Sequence, residues 1–213
     1  MIIFIQARYT SRRLCGKVLK KILNRPLLSW MIDRIKNSNM KLPIAVLTSV
    51  NKSDDLIEKY CKETSTKFFR GDLNNVASRF IAAGDFFNED KFIRLCGDSP
   101  LIDPQIIKEA IKISIENPQF DLITNIQKRT FPKGQSVEII NIKSLKRLYQ
   151  HDLSEDEQEH VTLGFYNRSN EFKILNFESE NAEFQNIQLS VDTKDDFLKA
   201  VKFMDIDKIR SKY

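Results

Sequence analysis

Four cations stand in the eleven residues "ARYTSRRLCGK" (7–17): Arg8, Arg12, Arg13 and Lys17. With 34 Lys and Arg among 213 residues, a window this long holds about two by chance, so position weighs more than count. The window follows the apolar run Ile2-Ile3-Phe4-Ile5-Gln6. A cationic loop at the carboxyl end of a buried strand suits phosphate. Arg offers a fork of donors, Lys a compact charge, and Gly16 permits a backbone turn near a ligand. The plainer alternative is a solvated basic loop. The stretch is neither G-x-G-x-x-G nor G-x-x-x-x-G-K-[ST], so it supports neither a dinucleotide fold nor a P-loop.

Two aspartates extend the pattern. In "LCGDSPLID" (95–103) Asp98 stands just past an apolar run, where it could hold Mg²⁺ or simply serve a turn; Asp103 reads as a helix cap. In "SVDTKDD" (190–196) Asp192 follows another short apolar run and Thr193 could cap the next helix. If these two runs are neighbouring strands, Asp98 and Asp192 converge, and two carboxylates beside a triphosphate make a divalent-metal site. Glu138 sits in a strand of otherwise apolar character. His160 is one of two histidines, and a lone His is more often structural than catalytic. Cys15 reads as a neutral filler of its turn. No Ser/His/Asp order, zinc spacing or thiol site stands out.

These residues need elements to hold them. Residues 2–6, 44–49, 67–71 and 92–98 read as strands. They alternate with helical patterns at 26–37, about 53–63 (started by Ser53 or Asp54), 74–87 and 104–116. That β-α-β-α alternation predicts a mostly parallel sheet with helices on both faces, and such sheets bind ligands at the carboxyl ends of their strands. Beyond about residue 125 the pattern changes. Strands are expected at 136–142, 172–178 and 187–193, and helices at 143–151, about 155–167 and 194–205. Residues 126–186 read as an insertion or flap that closes the site or contacts a second copy.

Composition is that of an ordinary globular chain, 41% apolar and 30% charged. No run approaches the roughly 20 apolar residues of a membrane span, and the N-terminus does not read as a signal peptide. Three cysteines without metal spacing imply reduced thiols and a cytoplasmic protein. A net charge of +5 without a block of like charges is weak support for nucleic acid, and RNP-type aromatic motifs are lacking.

In this order, six segments resemble the nucleotide-sugar cytidylyltransferases. The branch is that of the spore-coat polysaccharide biosynthesis proteins, related to the CMP-Kdo and CMP-sialic acid synthetases. "ARYTSRRLCGKVL" resembles A-R-x-x-S-T-R-L-P-G-K-x-L, and "RGDLNNVASRF" resembles R-G-x-x-x-D-V-L-x-R-[FY]. "RLCGDSPLIDP" is similar to R-x-T-G-D-x-P-L-I-D-P, and "RTFPKGQSVEI" to R-x-F-P-x-G-L-D-V-E-[VI]. "EQEHVT" and "SVDTKDDF" resemble E-R-E-H-V-T and T-V-D-T-x-E-D-L. The resemblance implies an α/β Rossmann-like nucleotidyltransferase: a three-layer sandwich in a single domain, 1–213, with 126–186 as a small α+β acceptor-binding or dimerisation flap.

It further implies that Lys17, Arg13 and Asp98 are catalytic, and that Ala7, Arg8, Arg13, Gly16, Lys17, Arg79 and Asp98 bind CTP. Asp98 and Asp192 would bind Mg²⁺, and Arg79, Gly134, Glu138 and His160 would meet the acceptor. The expected partners are CTP and a small anionic acceptor, with a homodimer and with neither nucleic acid nor membrane. The activity implied is transfer of CMP from CTP to a sugar acid of a surface polysaccharide pathway, with release of pyrophosphate. The alternatives are cytidylylation of a phosphorylated non-sugar molecule and a non-catalytic nucleotide-binding homologue. Departures from the pattern fall at Arg12 (for Thr), Cys15 (for Pro), Gln135-Ser136 (for Leu-Asp) and Gln158 (for Arg). The loss of Pro should loosen the loop, and the later changes remove charges expected around the acceptor.

Overall fold

The computed structural model describes residues 1–11 and 13–210; Arg12 therefore lies outside the described residues. Strand β1 (Ile2–Gln6) is the spine. Its alternation sends Ile3 and Ile5 into one apolar cluster and Ile2 and Phe4 into another, as the two-residue period of a strand buried on both faces requires. A small hairpin of β2 (Lys21–Ile22) and β3 (Arg25–Pro26) leads into helix α1 (Leu27–Lys36). Strand β4 (Ile44–Ser49) follows, then helix α2 (Asp55–Glu63), β5 (Lys67–Gly71), α3 (Val76–Phe87), β6 (Lys91–Cys96) and α4 (Pro104–Glu116). Asp103 caps α4, accepting from the Gln105 amide at 2.9 Å ahead of a first-turn proline.

The second half supplies β7 (Leu122–Thr124), β8 (Glu138–Asn141), α5 (Ile142–Leu148), α6 (Glu155–Glu159), α7 (Leu163–Asn167), β9 (Ile174–Asn176) and α8 (Lys194–Arg210). Among the described residues seven strands form one sheet in the order β5-β4-β1-β6-β8-β7-β9. Only the pairings of β8 are antiparallel in it. Helices α1, α2 and α4 contribute to the cluster on one face, and α3, α5 and α7 to that on the other. This is the α/β, mostly parallel arrangement expected. Of residues 126–186, β8 and β9 hydrogen-bond directly into the main sheet. No described helix is long and apolar enough to cross a membrane.

Several expectations need correction. The strand expected over 187–193 is not formed, and only a single bridge joins Gln188 to Lys133. The backbone of this stretch is spent elsewhere: the Leu189 amide donates to Lys133, Val191 to the Asp98 carbonyl, and Asp192 and Thr193 to the Asp196 carboxylate. The helix expected over 155–167 is two short helices, the first closed by a capping box of Ser154 and Glu157 and ended at His160. The start of the second helix also differs. Asn51 caps a short 3-10 turn there, and Asp54 makes no cap hydrogen bond. Strand β7 and the hairpin were not foreseen, because three-residue and two-residue strands leave almost no periodic signal.

Candidate active site

The loop after β1 is fixed by three anchors. The Ala7 amide donates to the Leu47 carbonyl at 2.9 Å, extending the β1–β4 pairing by one residue. The Tyr9 amide donates to Asp54 Oδ1 at 2.7 Å. The Gly16 amide closes the loop on the Tyr9 carbonyl at 2.8 Å. Gly16 has φ +66°, and a Cβ there would lie 2.9 Å from the Tyr9 ring, so glycine is required on both counts. Asp54 is fully buried and also accepts from the Ser49 amide (3.0 Å) and hydroxyl (2.5 Å). Sequence reasoning gave it only a helix-start role. A surface-looking "KSDD" stretch carries no sign that one carboxylate turns inward.

The closed loop delivers Lys17 to the carboxyl end of the sheet. Its Nζ lies 2.6 Å from Asp98 Oδ2 and 2.9 Å from Asp192 Oδ1. Arg13 Nη2 also pairs with Asp192 Oδ1 at 2.9 Å. Burial alone would lower the Lys17 pKa, but the charges and hydrogen bonds of Asp98 and Asp192 outweigh it and hold the value above 10.5. Lys17 is therefore a fixed, largely buried positive charge at neutral pH. Asp98 is placed by the turn after β6, where the Gly97 amide donates to the Gln6 carbonyl at 2.8 Å. Asp192 is placed by the Val191-to-Asp98 hydrogen bond at 2.8 Å and by the start of α8, where the Asp196 amide donates to Thr193 Oγ1 at 3.2 Å. The two carboxylates thus converge without the strand pairing expected to bring them together.

These groups open into a cleft of about 960 Å³. Gln6, Ala7, Arg8, Arg13, Lys17, Asp98, Asp192 and His160 all line it, with Leu73–Asn74 and Asp156 and Glu159 of α6 forming the far wall. Arg8 reaches across to Glu159 at 3.1 Å. His160 is exposed at the end of α6. Cys96 also lines the cleft, and burial pushes its thiol up to about 11, so it is uncharged at neutral pH.

Other expected site residues do not line the cleft. Glu138 is 2% exposed; it pairs with Arg94 and accepts from the Tyr166 hydroxyl at 3.0 Å. Gly134 has φ +96° and packs on the backbone of Leu189 and Ser190, where a Cβ would lie 2.5 Å from the Ser190 nitrogen. Arg79 is 2% exposed beneath the end of β5, against Gly71, and its Nε and Nη1 make no hydrogen bond to the described residues. Burial drops its pKa to about 10, with Asp54 opposing and Arg8 adding to the fall. Of the positions that depart from the family pattern, Gln135 is a buried brace. Its amide accepts from the Asp103 amide at 2.7 Å and donates to the Leu101 carbonyl at 2.8 Å. Gln158 accepts from Asn75 at 3.0 Å and so ties α6 to the start of α3.

A divalent cation fits this donor set. Asp98 and Asp192 already converge on one positive charge, and Mg²⁺ takes one or two carboxylates and completes its shell with phosphate and water. Among the described residues no cluster of three or more His, Cys, Asp or Glu is placed to hold a metal ion.

The cytidylyltransferase family model matches residues 2–211. Over 204 residues the chain is 29% identical to the spore coat polysaccharide biosynthesis protein SpsF of Bacillus subtilis, covering 92% of this chain and 83% of that one. Its fold superposes on a cytidylyltransferase from Leptospira borgpetersenii with a TM-score of 0.87 at 30% identity, over 92% of this chain and 82% of that chain. A CMP:2-keto-3-deoxy-manno-octonic acid synthetase solved with CTP shares the fold at TM-score 0.74 and 17% identity, over 97% and 98% of the two chains.

Proposed function

We propose that this chain, which belongs to the cytidylyltransferase family, transfers the CMP of CTP to a small anionic acceptor, a sugar acid, and releases pyrophosphate. The observation that carries the reading is the meeting of Lys17 with Asp98 at 2.6 Å and with Asp192 at 2.9 Å in a cleft that Arg8 and Arg13 also line.

In the reaction an acceptor hydroxyl oxygen forms a bond to the α-phosphorus of CTP as the bond from that phosphorus to the bridging oxygen of pyrophosphate breaks, and the hydroxyl proton passes to solvent water. The chemistry needs positioning and charge stabilisation rather than a protein nucleophile. Arg8 and Arg13 stand at the exposed rim and draw the polyanion in. Lys17, whose charge is fixed and partly desolvated, stabilises the negative charge that develops on the leaving group. Asp98 and Asp192 would hold Mg²⁺, which when bound supplies neutralisation of charge on phosphate oxygens. The closed loop keeps these cations in register, because Asp54, Leu47 and Tyr9 pin its backbone. The same reading places the enzyme in the cytoplasm, supported by three free cysteines, and as a homodimer, supported by the family resemblance.

The test is a melting panel with CTP, UTP, ATP and GTP, each with and without Mg²⁺, followed by pyrophosphate release with sugar acids and with phosphorylated polyols. CTP at about 100 times its dissociation constant should add about 2.7 kcal/mol, a rise of about 5–10 °C for this size. Asp98→Asn should abolish turnover while leaving the fold intact. A rise with another nucleotide alone would overturn the choice of CTP, and turnover only with phosphorylated polyols would overturn the sugar acid.

A further inference from the structure

Gln6 ends β1 and lines the cleft. The alternation of β1 places it on the Ile2/Phe4 face, the face of α3 and α5. There its Oε1 accepts from Arg94 Nε at 3.2 Å and from Arg94 Nη2 at 3.1 Å. The remaining arm of Arg94 pairs with Glu138 of β8, and the other oxygen of Glu138 accepts from Tyr166. A guanidinium has donors and no acceptor. The atom facing it must therefore be the amide oxygen, which fixes the orientation of the Gln6 side chain. Its NH₂ group is turned away from Arg94 and forms no hydrogen bond to the described residues.

We propose that Gln6 selects the acceptor: its amide NH₂, aimed by the Arg94–Glu138–Tyr166 relay, donates to a carboxylate oxygen of the acid that receives CMP. This rests on the transfer reaction proposed above. Gln6 bonds Arg94 on the Ile2/Phe4 face, whereas the side chains of Ala7 and Val18, which flank the loop bearing Lys17, pack into the cluster of the opposite face. On this proposal Gln6 serves the second substrate, and Lys17, which bonds Asp98 and Asp192, serves the nucleotide. Arg94 is balanced by Glu138, and Arg79, whose Nε and Nη1 make no hydrogen bond to the described residues, is balanced by Asp54 and Asp72. Glu138 then acts as a positioning residue through Arg94, which explains why it is buried in the sheet and still belongs to the acceptor side.

The test uses Gln6→Glu, which keeps an oxygen for Arg94 but replaces both donors with an anionic oxygen, and Gln6→Asn, which withdraws the same amide by one methylene. Steady-state pyrophosphate release is measured with CTP and with 3-deoxy-manno-octulosonate or a nine-carbon sialic acid, and melting with CTP checks folding. Loss of a hydrogen bond to a charged group predicts a rise in acceptor KM of about 10- to 100-fold, with CTP KM and the CTP-induced melting shift unchanged. If Gln6→Glu melts far below wild type, Gln6→Asn decides. An acceptor KM within about twofold of wild type, or a rise in CTP KM in its place, overturns the assignment of Gln6 alone. A wild-type protein that CTP stabilises but that turns over neither acid removes the sugar-acid reading and this inference with it.

Discussion

Lys17→Met removes the ammonium shared by Asp98 and Asp192, 2.6 and 2.9 Å away, and leaves two carboxylates facing each other. At about 5 Å and an effective dielectric of about 20, two like charges repel by about 3 kcal/mol. Both carboxylate side chains are about a quarter exposed (23% and 25%), and Arg13 still pairs with Asp192. Screening and that remaining pair reduce the penalty to about 1–2 kcal/mol, a fall in Tm of about 2–8 °C for a chain this long. The pH dependence identifies the cause. Lys17 has a raised pKa in the folded protein, so its contribution is complete below 10.5 and is lost as pH climbs through the folded value. The Tm gap between wild type and variant should be widest near pH 8 and shrink above about pH 10.5. Turnover should fall by about 10²–10³-fold at saturating CTP, the usual loss when one charge stabiliser of a transition state is removed. Melting curves from pH 8 to 11.5 and steady-state pyrophosphate release supply both numbers. A constant gap across that range, or a kcat within about tenfold of wild type, would refute the assignment of Lys17 as the charged centre of the site.

Asp54→Ala should destabilise the fold by about 1–3 kcal/mol, because it leaves buried donors of Ser49 and Tyr9 unpaired; CTP KM should rise with it, and chemical denaturation with parallel kinetics checks both. Arg79→Met should raise the Tm of the ligand-free protein, since it replaces a buried cation whose Nε and Nη1 lack hydrogen bonds, and it should lower acceptor-dependent turnover; a drop in Tm would show that the guanidinium stabilises the fold as it stands. Gly134→Ala should cost more than about 1 kcal/mol, because φ is +96° and the new Cβ would lie 2.5 Å from the Ser190 nitrogen. Its activity loss should exceed that of an equally destabilised surface variant, because the shifted chain carries Asp192.

Much of the candidate site was legible because it obeys a rule of parallel sheets: ligand clefts form at the carboxyl ends of the strands. Arg8, Arg13, Lys17 and Asp98 could be found from the apolar runs that precede them, and Asp103 from the proline after it. Arg79, Gly134 and Glu138 were named from family motifs, and the structure places all three outside the lining of the cleft. Their side chains or backbone brace what surrounds it. Glu138 is tied into a sheet network and Gly134 into a backbone contact, and neither partner is near in sequence.

The sequence by itself determined the alternating first half, the cationic loop after β1 and the two aspartates, because period-two apolar runs, caps and turn residues are local signals. Only the tertiary structure decided that Asp98 and Asp192 meet on Lys17, across separations of 81 and 175 residues. The expected mechanism for their meeting, a paired final strand, was wrong; a loop held by Val191, Thr193 and Asp196 does it instead. Asp54 turning inward to hold the loop, and Gln6 being oriented by Arg94, were likewise settled by packing. A carboxylate or an amide reads the same in the sequence whether it faces water or a buried donor. Its partner is chosen by which strands lie side by side, and that is a property of the whole chain.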